Sequence, residues 1–315
     1  MDYKTLIYEK EGSVAKIILN RPEKRNVLDL IGMGEEAVEF FAAFDEAAED
    51  DEVKVVLLKG NGPCFCAGER LDTVYHVYGG GTGQPDEKRP SQRIRLKLDR
   101  RFMDGFQRIF LHPKITVAQA HGYSFGIGTH LLLYCDFAVV TEDAQLGLID
   151  QRLGSGGAAI PYIPILIMTV GMKRALDILL TTRLFDGKEA AQMGLVTKAV
   201  PHERMEEEVD KMVKALCLMP RDGIAIGKAT RHMVYDSLGL TAGFAQGYVS
   251  HTLFTNLRWE PEEYSYLKQR RDKGLKGGLS GLHDRYAGLV DEGIKKIEAS
   301  EEIKTCHSSL KASKY

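Results

Sequence analysis

Two segments of this 315-residue chain join an apolar run to a glycine turn and then to a helix start, and this pattern constrains the fold most. The first apolar run is residues 53–60, and the first elbow is residues 66–69; the second run is residues 115–120, and the second elbow is residues 122–128. Glycine lets a backbone turn tightly and approach a ligand closely. A helix start has N–H groups without partners and a partial positive charge. Two such N–H groups aimed at one point would stabilise an oxyanion.

The rest of the chain alternates apolar runs of strand length with stretches of helical periodicity. The predicted elements are a strand at 14–19, a helix at 31–48, strands at 53–58, 115–120 and 137–140, a helix from residue 128 and a helix at 173–180. Alternation of strands and helices is typical of an α/β fold.

Composition excludes several classes of function. The net charge is near −2 and no basic block is long, so we expect no nucleic-acid partner. The most apolar stretch, residues 160–170, contains two prolines and is too short to span a bilayer, so we expect no membrane partner. The charged N-terminus lacks a signal peptide, and the five cysteines have no metal-ligand spacing. We therefore expect a cytoplasmic protein in a reduced compartment, without a metal.

Several separated motifs occur in one order along the chain. They are Asn20-Arg21-Pro22-Glu23-Lys24-Arg25-Asn26-Val27-Leu28, Cys66-Ala67-Gly68, the glycines from Gly122 to Gly128, Cys135-Asp136, and residues 187–196. Together they resemble the crotonase (enoyl-CoA hydratase/isomerase) superfamily from about residue 5 to residue 270. No single motif is specific, but their order and register make the resemblance strong.

The resemblance implies a crotonase-like spiral of ββα units with a C-terminal helical trimerisation region. The implied divisions are an α/β core with the acyl-CoA site at residues 1–205, a helical oligomerisation region at 206–271, and a C-terminal helical extension and tail at 272–315. A homotrimer or a dimer of trimers is expected. A further helix is predicted at 284–299. The glycine-rich segment at 79–85 is expected to be a mobile surface loop, and the alternative that the resemblance implies is a loop that covers the acyl pocket.

The same resemblance assigns the backbone N–H groups of Glu69 and Ile127 to the oxyanion hole. Relatives activate water with two glutamates, and this chain has His130 and Asp150 at those positions. An imidazole titrates near neutral pH, and a carboxylate in an apolar pocket can titrate in the same range, so the pair can transfer protons. The structural alternatives are a helix histidine bonded to a nearby carbonyl and a helix N-cap at Asp150.

Basic residues are the expected contacts for the CoA moiety. Lys24 and Arg25 lie in the turn that resembles the family's nucleotide-contacting loop, and Ala67 lies in the first elbow. Lys268 and Arg271 lie where relatives place basic residues near the 3′-phosphate. CoA is part of the thioester substrate, so no separate cofactor is expected.

The sequence therefore predicts an acyl-CoA enzyme of the hydratase/isomerase type. Because both glutamates are replaced, three alternatives remain open at this point. The first is a hydrolase that opens a cyclic oxoacyl-CoA or cleaves a thioester, the second a double-bond isomerase that needs one acid, and the third a non-catalytic acyl-CoA-binding homologue.

Overall fold

A central six-stranded sheet organises the computed structural model, which describes residues 2–71, 90–154, 161–254 and 259–296. The strands are β1 (Leu6–Glu11), β2 (Val14–Leu19), β3 (Val55–Gly60), β4 (Ile115–Ala120), β5 (Tyr123–Phe125), β6 (Phe137–Thr141), β7 (Gln145–Gly147), β8 (Phe185–Asp186) and β9 (Lys198–Val200). The large sheet has the order β1-β2-β3-β4-β6-β9, in which only the β1–β2 pair is antiparallel. A small second sheet has the order β5-β7-β8.

Helices cover the sheet and form most of the chain after β9. The α-helices are α1 (Glu35–Glu49), α2 (Gln92–Phe110), α3 (Ile127–Tyr134), α4 (Ile163–Val170), α5 (Met172–Leu176), α6 (Gly187–Gln192), α7 (Met205–Cys217), α8 (Arg221–Ser237), α9 (Ala242–Phe254) and α10 (Tyr266–Asp284). Short 3₁₀ turns lie at Pro22–Lys24, Ile149–Leu153 and His202–Arg204, and a π-turn at Asp177–Thr181. None of the described helices is long and apolar enough to cross a membrane.

The alternating side chains of β3 explain why the sheet has helices on both faces. Val56 and Leu58 belong to the larger core, together with Phe40 and Phe44 of α1. The intervening strand residues pack in a second core against α7. Because successive strand residues point to opposite faces, a strand that is apolar throughout must be covered on both sides.

A buried ion pair fixes α8 against the sheet. Lys228 Nζ lies 2.7 Å from both carboxylate oxygens of Asp136, which also accepts a hydrogen bond from the Thr116 N–H. The motif aspartate after α3 therefore has a structural role, as a salt-bridge partner.

The structure confirms the α/β prediction, and the strands at 14–19 and 115–120 have the predicted bounds. The predicted helix at 284–299 is wrong for residues 285–296, because α10 ends at Asp284 and turns follow it. Gly288 adopts a φ of +78°, a left-handed conformation that a helix does not use, and its N–H donates to the Asp291 carbonyl. The loop at 79–85 lies outside the described residues.

The predicted boundary between residues 271 and 272 falls within α10. The backbone of this helix is not helical at Gly274, where φ is +72° and ψ is 177°.

Candidate functional site: a cavity beside two glycine elbows

Backbone hydrogen bonds hold the two elbows side by side. The N–H of Cys66 donates to the Tyr123 carbonyl at 3.0 Å, and the N–H of Phe125 donates to the Cys66 carbonyl at 3.1 Å. Each segment thus follows its own strand of the parallel β3–β4 pair to the same edge of the sheet and continues the pairing there. The two elbows therefore lie next to each other because they continue the pairing of β3 with β4.

The glycines of the elbows are required for close approach and for backbone conformation. A Cβ on Gly128 would overlap the carbonyl oxygen of Cys66, so only glycine lets the start of α3 come this near to the first elbow. Gly68 has a φ of +108°, which side chains of L-residues rarely allow. A substitution at either position would shift the backbone next to it.

A cavity of about 100 Å³ lies against both elbows. Its wall is mostly apolar, and it includes Ile31, Leu71, Phe102, Ile149, Leu153 and Phe254. The titratable side chains along it are those of Glu69, His130, Asp150, His251 and His283. An apolar cavity with a few convergent polar groups is the usual form of a small-molecule site.

The two expected oxyanion donors, Glu69 and Ile127, both line this cavity. Ile127 is the first residue of α3, and no hydrogen bond from its N–H or from that of Glu69 is made to the described part of the chain. The side chain of Glu69 has a separate structural contact, because its carboxylate accepts from the N–H groups of Leu30 and Ile31, each at 3.2 Å. Burial raises the pKa of this carboxyl well above its usual range, and the charge of Asp29 raises it further.

His130 and Asp150 face each other in the cavity. His130 Nε2 lies 3.5 Å from Asp150 Oδ2, and the imidazole is only 3% exposed. Neither ring nitrogen of His130 has a hydrogen-bond partner within the described ranges, and the same holds for Asp150 Oδ1. The alternative of a histidine bonded to a carbonyl is therefore not what the structure contains. Asp150 is also not an N-cap, since the cap of its 3₁₀ turn is Leu148.

Aromatic packing holds the His130 ring in place of hydrogen bonds. Its centroid lies 4.3 Å from the Tyr162 ring and 6.1 Å from that of Phe106. The Tyr162 hydroxyl accepts a hydrogen bond from Gln151 at 3.0 Å. Burial raises the pKa of the Tyr162 phenol well above its usual range and the Asp150 charge adds to this, so the phenol stays neutral. Packing against these rings, and no hydrogen bond within the described residues, therefore positions the His130 ring.

A second His–Asp contact on this cavity was missed from the sequence. His251 Nδ1 lies 3.0 Å from Asp99 Oδ1, and Asp99 is fully buried. Arg95 and Thr252 also hold this carboxylate, at 3.2 Å and 2.6 Å. In the sequence, Asp99 stands in a basic segment with the pattern of a solvated helix, and nothing local links it to His251.

Of the five expected CoA contacts, Ala67 lines the cavity. Its N–H donates to the carbonyl of Arg25, whose exposed guanidinium lies 5.4 Å from the Tyr123 ring. Lys24 is exposed in the neighbouring 3₁₀ turn, and Lys268 and Arg271 are exposed on α10. The early turn is therefore joined to the first elbow, which places one expected CoA contact directly beside the cavity.

Comparison with known proteins shows the family of the chain. The family model "Enoyl-CoA hydratase/isomerase" matches residues 9–258. A Thermus thermophilus protein with the provisional name enoyl-CoA hydratase is 31% identical over 239 residues, which make up 76% of this chain and 88% of the relative. The chain therefore belongs to the enoyl-CoA hydratase/isomerase family, as the resemblance to the crotonase superfamily implies.

Solved structures support the same fold. An enoyl-CoA hydratase from Mycobacterium smegmatis matches with a TM-score of 0.75 at 26% identity, covering 90% of this chain and 96% of its own. An enoyl-CoA hydratase/isomerase from Xanthobacter autotrophicus Py2 has the same TM-score at 24% identity, covering 91% and 100%. The overall architecture is thus that of the family along nearly the whole chain.

Proposed function

We propose that this protein is an acyl-CoA enzyme that binds a thioester oxygen between the N–H groups of Glu69 and Ile127. The observation that carries the proposal is that both residues line one apolar cavity, while neither N–H donates to the described residues. Preorganised donors in a cavity that excludes water stabilise a developing oxyanion strongly. The charge of a thioester enolate would collect at this point.

His130 and Asp150 are the proposed proton-transfer pair. In hydration, His130 takes a proton from water as the water oxygen bonds to the β-carbon of an enoyl thioester. The electron pair of the C=C bond then becomes the enolate, whose charge the two N–H groups stabilise. The imidazolium, stabilised by Asp150 at 3.5 Å, returns the proton to the α-carbon. The elements of water are thereby added across the double bond.

Hydrolysis of a cyclic oxoacyl-CoA is the second candidate, and the replacement of both glutamates by His130 and Asp150 favours it. The hydroxide formed by the same proton removal would attack a ring ketone. The ring C–C bond would break with its electron pair moving to the α-carbon, giving the thioester enolate. The imidazolium would then protonate that carbon. The same oxyanion hole and the same histidine serve both reactions.

CoA binding and assembly complete the proposal. Lys24, Arg25, Lys268 and Arg271 are the proposed contacts of the nucleotide part, supported by their exposed positive charges. A homotrimer or a dimer of trimers is proposed because α4, α5 and α8 expose apolar side chains, Met168, Met172 and Met233 among them. Light scattering should give a mass of three or six times 35.1 kDa.

A screen of CoA thioesters tests the function. Crotonyl-CoA, a cyclic enoyl-CoA and a cyclic β-oxoacyl-CoA would be incubated with the protein and the products identified by mass. Gain of one water by an enoyl thioester supports hydration, and gain of one water by the ring ketone supports hydrolysis. Tight binding of the thioesters without turnover of any of them would contradict the proposed enzymatic activity and would indicate a non-catalytic acyl-CoA-binding protein.

A further inference from the structure

The segment from residue 266 to 295, which lies beyond the family match ending at 258, contributes two residues to the wall of the candidate site. Arg270 of α10 donates to the carbonyl of Leu71, two residues after the first elbow, at 2.5 Å. Farther along, the carbonyl of Lys295 accepts from the Tyr123 hydroxyl at 2.8 Å. The segment is therefore bonded to the chain beside both elbows.

Arg152 anchors this segment next to Asp150. Its guanidinium lies 2.8 Å from the carboxylate of Asp291 and 4.5 Å from the Tyr286 ring centroid. The side chains of Arg152 and Asp291 are almost completely buried, and Asp291 also accepts from the N–H of Leu184. Removal of one partner of a buried, hydrogen-bonded ion pair is strongly destabilising, because the other charge is left buried without compensation. The wall is thus held firmly against the site.

Two side chains of α10, Leu282 and His283, line the cavity. Leu282 is 2% exposed and packs in a small cluster with Leu71 and Leu153, which also line the cavity. It closes the cavity with apolar surface. His283 adds a polar group to a wall that is otherwise mostly apolar.

The contact with Arg152 fixes the protonation of His283. Its Nδ1 lies 3.2 Å from Arg152 Nη1. A guanidinium can only donate, so Nδ1 accepts, and the neutral ring carries its proton on Nε2. Burial and the charge of Arg152 lower the pKa of His283 to about 4, which agrees with a neutral ring near pH 7. His283 therefore offers an N–H donor from Nε2.

We propose that His283 is a substrate-contacting residue whose Nε2–H donates a hydrogen bond to an oxygen atom of the acyl group beyond the thioester. This inference rests on the proposed function, because it names the class of thioester that the same cavity selects. The class is an oxygenated acyl-CoA, with a ketone or hydroxyl on its carbon skeleton. A site built to hydrogen-bond an oxygen discriminates against an analogue without it, since its own donor is then left buried without a partner.

Binding of matched thioesters tests this selectivity. Cyclohexanecarboxyl-CoA would be compared with its 3-oxo and 4-oxo derivatives, which the proposed ring opening does not consume, by calorimetry on the intact protein. At least one oxo isomer should bind about tenfold or more tightly than the parent, which corresponds to about 1.4 kcal/mol. The preference should fall to within about twofold in His283→Leu.

Two further variants keep the test independent of folding. His283→Gln retains an N–H donor near the Nε2 position and should keep most of the preference. His202→Leu makes the same change at an exposed histidine and should leave it unaltered. An undiminished preference in His283→Leu, or thioester binding without any preference for an oxo isomer, overturns this inference alone. Absence of binding by every thioester would overturn the proposed function and this inference together.

Discussion

Two His–Asp contacts face the same cavity, yet their surroundings differ. His130 and Asp150 lie 3.5 Å apart, and within the described chain both ring nitrogens and one carboxylate oxygen have no hydrogen-bond partner. His251 and Asp99 lie 3.0 Å apart, and Asp99 is fully buried and also held by Arg95 and a threonine hydroxyl.

This difference indicates that one pair can take part in a reaction while the other stabilises the fold. Polar atoms without partners in a buried site keep their capacity for a substrate or a water. A fully buried carboxylate with several donors instead helps to join the elements that carry those donors, here α2 and α9. We therefore expect the His130–Asp150 pair to matter most for turnover and Asp99 to matter most for stability.

The largest effect is expected on turnover. His130→Ala and Asp150→Ala should each lower kcat by about 10²–10⁴-fold, because each removes a proton-transfer group or its charge partner. The dissociation constant of the thioester should change little. Steady-state kinetics on the thioester that reacts in the screen, with calorimetry for binding, would measure both. The exposed His202→Ala is the control, and wild-type kcat in either variant would remove that residue from the mechanism.

Asp99 should show the opposite profile. Asp99→Ala leaves the buried Arg95 without this carboxylate, so the free energy of unfolding should fall by about 3–5 kcal/mol. Asp150→Ala removes a partly exposed group with few contacts and should cost less than about 1 kcal/mol. Denaturant unfolding of both variants checks this. Equal decreases in the free energy of unfolding would mean that the two carboxylates contribute equally to stability, contrary to this prediction.

A third imidazole on the cavity, His283, lies beside an arginine, and we expect it to make the stability of the protein depend on pH. Its pKa is lowered from 6.5 to about 4 in the folded protein, chiefly by burial and then by Arg152. The unfolded chain binds this proton first as the pH falls, so stability should decrease between pH 6.5 and 4, by up to about 3 kcal/mol. Above pH 6.5 both states are neutral and the effect is absent.

The difference between wild type and His283→Gln isolates this contribution. Unfolding free energies would be measured from pH 4 to 8, and the variant should show the shallower decrease at low pH. Parallel curves would mean that His283 does not remain neutral in the folded state.

The smallest effect is expected in energetic coupling. In a double-mutant cycle of unfolding free energies, His251→Ala and Asp99→Asn should show a coupling of about 0.5–3 kcal/mol, since these residues are in contact. The corresponding cycle for His130 and Asp150 should give less than about 0.5 kcal/mol, because their contact is longer and weaker. A larger value for His130 and Asp150 would contradict the distinction between the two pairs.

Features that depend on neighbouring residues could be predicted from the sequence. The strands at 14–19 and 115–120 follow from short apolar runs bounded by turn residues. The positions of His130 and Asp150 follow from their place in ordered family motifs, although their proximity became visible only in the structure. The prediction of a helix at 284–299 was wrong for the described residues after 284, because the backbone conformation of Gly288 and the contact of Arg152 with Asp291 favour turns there. The spacing of apolar residues contains no information about either feature.

The sequence by itself determined the two elbows, because the glycine turns and apolar strands that form them are local features of the chain. Tertiary structure decided which side chains share the cavity with those elbows. Asp99 meets Thr252 across 153 positions, and Arg152 meets His283 across 131. Contacts between residues so far apart in sequence depend on how the helices pack and on which polar groups must pair when they are buried. No local sequence pattern predicts either of these.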